Sequence, residues 1–300
     1  MKIKRCIKFS DDKFKETGNM REATKSDAGK KRLPFPAGTV ILALMIISAS
    51  AEIPSSAGPE RYAIPQTAKL SGEEILKRVD DNITAGNKVM TAKMIIHLRR
   101  ASRTVEFKSY IQGTEKAFTE FLAPPREKGT KMLKLGNQLW MYSPWTDRTI
   151  LISGHMLRQS VMGSDLSYED MMEDPRLSNS YIAEIVGEEA VRVQAQGGSE
   201  VSCWVLELTA RQEDVAYPQR KLWVDKERYV VLREELYARG GTLLKKVEVL
   251  SLRKFDSRWV PKRAIFKDML KASEGTEFLI ESLEFDAKIP EHIFTRASLK

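Results

Sequence analysis

The sequence predicts a mainly β protein: one large, curved antiparallel sheet with a few helices laid over it. From Val89 onward the apolar period is two through about a dozen short segments, the signature of strands. Their connections are short turns, which suit antiparallel neighbours and leave no room for parallel crossovers. Only two stretches break the alternation with helix-start signals. A broad single sheet must curl to hide its apolar face, and the helical stretches are natural covers for the concave side.

Ser71-Gly72-Glu73-Glu74 reads as a capping box, with Ser71 as N-cap and Glu74 at N3. Ile75, Leu76, Val79 and Ile83 follow at helical spacing, and Gly86 closes the helix. Strands are expected over residues 94–98, 103–111, 115–122, 131–135, 138–142 and 148–152. Gly136-Asn137 is a hairpin signal between two of them. Residues 153–178 interrupt the pattern. Ser167-Tyr168-Glu169-Asp170 starts a helix there, and Glu169, Asp170, Glu173 and Asp174 read as its solvated face. Strands resume over 181–186, 190–196, 201–210, 220–224, 230–238, 242–255, 259–268 and 276–285. No βαβ spacing or long internal repeat is present.

The first 51 residues stand apart. Lys30-Lys31-Arg32 precedes an apolar run from Thr39 to Ala49, which closes on Ala49-Ser50-Ala51. A charged end, an apolar middle and an A-x-A exit predict a secretory signal peptide over 1–51. Left uncleaved, the run would be an anchor, but it is shorter than the roughly 20 residues a span needs. Translation from Met20 would leave a leader of ordinary length. Residues 52–69 read as a Pro/Ser/Ala/Gly-rich linker, and 70–300 as one domain.

The chain carries a formal charge of +8, but its first 51 residues hold 11 Lys/Arg and 5 Asp/Glu, leaving 38 basic against 36 acidic residues. The domain has no basic stripe, which argues against nucleic acid as a partner. Of Cys6 and Cys203 only the second falls in the domain, so no internal disulfide is expected. Cys203 alternates with Val201 and Val205 and reads as a small buried apolar residue. No Cys follows the apolar run, so no lipoprotein anchor is expected.

Catalytic material is sparse. His97, His155 and His292 lie in three separate segments, with no pair at metal-ligand spacing. No nucleophile elbow or phosphate loop occurs. Met162-Gly163-Ser164-Asp165 reads as a helix-entry turn. No catalytic residue, metal or cofactor is expected. The informative feature is softness: Met156, Met162, Met171 and Met172 cluster in the interrupted stretch, just downstream of Trp140, Tyr142 and Trp145. Methionine adapts to irregular apolar partners, and a surface of this kind suits a flexible ligand such as an acyl chain.

Several motifs, in order, resemble the LolA-like family of outer membrane lipoprotein-sorting proteins. They are the run Phe118-Thr119-Glu120-Phe121-Leu122-Ala123-Pro124-Pro125-Arg126-Glu127-Lys128-Gly129, then Gln138-Leu139-Trp140-Met141-Tyr142-Ser143-Pro144, then residues 162–170, Lys221-Leu222-Trp223-Val224-Asp225 and Trp259-Val260-Pro261. The resemblance spans about residues 70–298, nearly the whole predicted domain. It implies an unclosed, half-barrel antiparallel sheet with helices as a lid over a hydrophobic cavity. It also implies periplasmic carriage of lipids or lipoprotein acyl chains, with an inner-membrane exporter and an outer-membrane acceptor as partners. The candidate cavity and lid residues are Phe121, Trp140, Tyr142, Trp145, Met156, Met162, Leu166, Met171 and Met172, with residues 153–174 as the gate. The family's lid-binding arginine maps to no definite position. The alternatives are a lipid-sensing or partner-binding envelope module that does not transport, and an envelope hydrolase.

Overall fold

The computed structural model describes residues 70–300, apart from 85, 195–197 and 214. The expected leader (1–51) and linker (52–69) lie outside the described residues.

Thirteen strands form a single sheet: β1 (Asn87–Leu98), β2 (Ala101–Gln112), β3 (Lys116–Ala123), β4 (Lys131–Leu135), β5 (Gln138–Ser143), β6 (Arg148–Ile152), β7 (Tyr181–Arg192), β8 (Glu200–Ala210), β9 (Gln219–Asp225), β10 (Val231–Tyr237), β11 (Leu243–Phe255), β12 (Arg258–Asp268) and β13 (Gly275–Phe285). Their spatial order is β6-β5-β4-β3-β2-β1-β13-β12-β11-β10-β9-β8-β7, every neighbouring pair antiparallel. One long-range pairing, β1 with β13, joins two meanders. The edges β6 and β7 do not meet, so the sheet is not closed into a barrel, as expected. The expected strands 181–186 and 190–196 are one strand, β7, with a register shift between Ile185 and Gly187; a bulge kept the ladder running where the alternation slipped.

Directly opposed residues of antiparallel strands share a face. One face therefore runs through Thr119, Ser109, Val105, Met94, Phe278, Ala264 and Val249, and on through Val247, Glu234, Leu222 and Leu206. Two covers lie on it. The first is α1 (Gly72–Ile83). Its capping box forms as expected: Ser71 Oγ accepts from the Glu74 amide at 3.2 Å, and the Ser71 amide donates to Glu74 Oε2 at 2.8 Å. Arg258 donates to the Asp81 carbonyl at 2.8 Å and the Thr84 carbonyl at 2.5 Å, which ends the helix at its negative pole. Ile75, Leu76 and Val79 bury against Tyr181, Leu206, Leu208 and Leu222. A Cβ on Gly72 would stand 2.4 Å from the Ala183 carbonyl oxygen, so only glycine lets the helix sit this close to β7. The second cover is the chain between β6 and β7. It contains 3-10 turns at Gly154–Arg158 and Val161–Gly163, then α2 (Tyr168–Met172) and α3 (Leu177–Ser180).

The other face of β1–β5 is covered by the C-terminal 3-10 turns Glu291–Phe294 and Arg296–Leu299, whose Phe294 and Leu299 bury against Phe118, Leu133 and Trp140. No described helix is long and apolar enough to cross a membrane.

Candidate functional site: an apolar hollow under a latched cover

Between the second cover and β1, β2, β3 and β13 lies a hollow of about 170 Å³. Met90, Met94, Phe107, Ile111, Phe121 and Phe278 come from the strands, and Val161, Leu166 and Met171 from the cover. Strand alternation delivers these side chains to one face. Two polar side chains share the floor, Ser109 and Thr119, and they hydrogen-bond each other at 2.8 Å in a buried pair. The hollow thus offers a ligand almost nothing but hydrocarbon and thioether. Phe107 stacks tilted on Phe121 and Phe278, with centroids 5.9 and 5.6 Å apart. A second, mostly apolar hollow of about 260 Å³ also touches Phe278; Val247, Val249, Ala264, Phe266 and Ile280 line it, with Arg233 and Glu234.

The cover is fastened by polar bonds around this apolar centre. Ser167 and Asp170 make a reciprocal capping box that starts α2, so the short helix has a local reason to form. Asp165 is buried. It accepts from Thr276 Oγ1 at 2.7 Å, Ser273 Oγ at 2.5 Å and the Asp268 amide at 3.1 Å, pinning the cover to the β12–β13 turn. Lys271 donates to Ser160 Oγ at 2.6 Å and the Ser164 carbonyl at 2.8 Å. Arg103 on β2 donates to the Met162 carbonyl and pairs with Glu127 at 3.0 Å. Lys134 donates to the Met172 carbonyl at 2.9 Å. Met162 itself holds φ of 49°, a left-handed backbone that a methionine keeps only when its surroundings fix it.

A buried ionic cluster secures α2. Asp170 pairs with Lys245 and accepts from Tyr217 Oη at 2.6 Å. Burial drives its carboxyl upward, but Lys245, with the hydrogen bonds from the Ser167 amide and Tyr217, holds it below the usual range. Glu173 pairs with Arg220, which also reaches Glu234 at 2.8 Å and lies over the rings of Tyr181 and Tyr217. One guanidinium thus serves two carboxylates. Burial, opposed by Arg220 but reinforced by Glu234 and Asp170, pushes Glu173 up to about 7. Burial alone would lower Arg220, yet Glu234 and Glu173 raise it, so it stays a cation.

These placements correct parts of the sequence reading. Asp170 and Glu173 are partners of half-buried Lys245 and buried Arg220 rather than a solvated helix face, and Asp174 is taken up by Arg176 and Asn179. Of the candidate lining residues, Phe121, Leu166 and Met171 border the hollow. Met156, Met162 and Met172 pack against the same core cluster from the cover. Trp140 and Tyr142 point away: on β5 they alternate with Leu139 and Met141, and it is the latter pair that faces the hollow's side. Trp145 sits on the β5–β6 turn, 73 % exposed. Met90, Met94, Phe107, Ile111 and Phe278 were not singled out from sequence, although the alternation of β1, β2 and β13 carried the signal. The fastening residues Arg103, Arg220 and Lys245 had none, because their partners are far away in the chain.

Among the described residues no group of three or more His, Cys, Asp or Glu could hold a metal ion. Cys203 is buried and free, and burial pushes its thiol up to about 12, far from a reactive thiolate.

An unclosed antiparallel sheet with covers on its inner face is a LolA-like fold. Solved structures share the fold along nearly their whole length. A DUF1329 family protein from Desulfovibrio piger is 25 % identical with a TM-score of 0.68, covering 76 % of this chain and 98 % of that one. A domain from Vibrio parahaemolyticus assigned as an outer membrane lipoprotein-sorting protein is 24 % identical (TM-score 0.63; 76 % and 97 % covered). A LolA superfamily protein from Nitrosomonas europaea is 21 % identical (TM-score 0.61; 77 % and 100 %). Residues 113–300 match the model of a family described as "Uncharacterized protein", and the chain belongs to that family. Comparison with curated proteins gives no match.

Proposed function

We propose that the protein is a non-enzymatic carrier that shelters the acyl chains of lipids or lipoproteins in the hollow, with residues 153–174 as a lid. The observation that supports it best is the apolar hollow on the inner face of the open sheet, roofed by a segment that is fastened by polar bonds and faces the hollow with soft apolar side chains. Each methylene taken from water is worth about 0.8 kcal/mol, so a dozen are worth roughly 10 kcal/mol. An engineered cavity of about 150 Å³ holds benzene. At about 170 Å³ the closed hollow therefore fits a short hydrocarbon segment, and a full acyl chain requires the lid to lift. The methionines at Met90, Met94 and Met171 allow that expansion without a fixed shape. The second hollow, which shares Phe278, offers room for a longer chain.

On this reading the leader delivers the domain to the periplasm, where a membrane exporter loads it and an outer-membrane acceptor unloads it. The test is mass spectrometry of protein isolated from its own envelope without detergent, together with transfer of labelled lipid between donor and acceptor vesicles. Co-purifying acyl lipid and protein-dependent transfer support carriage. Bound lipid without transfer would favour a sensing module, and lipid-free protein that takes up no labelled lipid would overturn the proposal.

A further inference from the structure

We propose that one end of the sheet is a docking edge for an anionic membrane surface. This goes beyond the carrier reading and holds whether or not the hollow takes hydrocarbon.

Strand register assembles the edge. The turns β1–β2, β3–β4, β5–β6, β8–β9, β10–β11 and β12–β13 all fall at the same end, because His97 opposes Gly275, Lys245 opposes Asp268 and Tyr237 opposes Gln219. The exposed large apolar side chains of the described residues are distributed unevenly. Ile150, Leu151, Ile182 and Val186 lie on the edge strands β6 and β7. The others gather at this end: Leu98, Trp145, Met269 and Leu270 on the turn tips, 50, 73, 41 and 73 % exposed, with Leu122 just behind them near the end of β3. One such residue needs no explanation; four on three tips of one rim do.

The charges between them are mostly positive. Arg99 and Arg100 follow Leu98, Lys267 lies two residues before Met269, Arg148 lies three residues after Trp145, and Arg126 and Lys128 lie on the β3–β4 turn whose Arg126 carbonyl Trp145 bonds; all six are exposed. None of these six side chains has an ion-pair partner among the described residues. Among the described acids of the rim, Glu127 is engaged by Arg103, Asp268 by Lys271 and Glu213 by Arg239, exposed Asp147 accepts from the Tyr142 hydroxyl at 3.2 Å, and Glu274 is left over. Exposed apolar tips set among unpaired cations complement a bilayer interface that carries anionic headgroups. Trp145 donates Nε1 to the Arg126 carbonyl at 2.7 Å, which satisfies its polar edge and leaves the ring free to enter the interface. The tips also flank the cover: Trp145 shares a cleft with Met162 and Gly163, and Leu270 shares one with Lys271, which bonds Ser160 and Ser164. The surface that meets the membrane is thus the rim where the cover is pinned.

The test uses the full chain and vesicles of phosphatidylcholine with and without phosphatidylglycerol. Brominated phosphatidylglycerol in the bilayer should quench tryptophan emission, and Trp145→Phe should remove that quenching. Trp145→Ser with Leu270→Ser should weaken binding at least tenfold, and Arg99→Glu with Arg100→Glu should abolish the preference for anionic vesicles. Unchanged quenching in Trp145→Phe, or equal vesicle binding by the double variants and the parent chain, would overturn the proposal and point to a protein partner for the rim. Lipid retention in the hollow is measured separately, so the two readings fail independently.

Discussion

Replacing Glu173 by Gln should remove a pH dependence of the cover. In the closed arrangement Glu173 shares Arg220 with Glu234, under burial and beside Asp170, and its pKa is raised from the ordinary 4.5 to about 7. A carboxyl whose pKa rises on folding binds its proton more tightly in the folded chain. Its contribution is therefore complete below pH 4.5 and is lost as the pH climbs through 7. At ~1.36 kcal/mol per pKa unit the shift amounts to roughly 3 kcal/mol. The side chain is 32 % exposed, and solvent screening cuts this to about 1–2 kcal/mol. For a domain of this size that lowers the melting temperature by about 2–8 °C between pH 5 and 8. Glutamine keeps an acceptor for Arg220 and cannot ionise, so Glu173→Gln should lack this decrement while sharing every other titration with the parent. The assay is thermal unfolding of both chains across that range. Parallel curves would refute the reasoning, since they would mean that Glu173 titrates alike in the folded and unfolded chain.

Other consequences follow from the same geometry. Met171→Asp places an unpaired carboxylate at the roof of the apolar hollow and should reduce acyl-lipid retention several-fold with the circular dichroism of the sheet unchanged, read by native mass spectrometry. Asp165→Ala strips three donors of their acceptor in a buried site and should cost about 3 kcal/mol or more in denaturant unfolding. Arg103→Ala frees the Met162 carbonyl and should speed amide hydrogen exchange at residues 161–168 before the sheet responds.

The strand pattern and both covers were legible because their causes are local. Alternation wrote β2 through β6 almost to the residue and the second half of β1, and capping boxes at Ser71 and Ser167 marked α1 and α2. Alternation also says that Leu139 and Trp140 face opposite ways, but not which of them faces the cover. Aromatic bulk therefore drew attention to Trp140, which the C-terminal turns bury on the other side. The acids of α2 misled for a related reason: a solvated acidic face and an acidic face meeting Arg220 and Lys245 have the same sequence.

The sequence alone determined a mainly β chain with an antiparallel meander, a break near residue 153 and soft apolar residues in that break, because period, turn chemistry and caps act within a few residues. The tertiary structure decided which face is inner, that Phe278 from the far end of the chain completes the hollow, and that Arg103, Arg220 and Lys245 hold its roof. These depend on pairing β1 with β13 and on burying charges against partners 47 to 75 residues away, and no local rule encodes such distances.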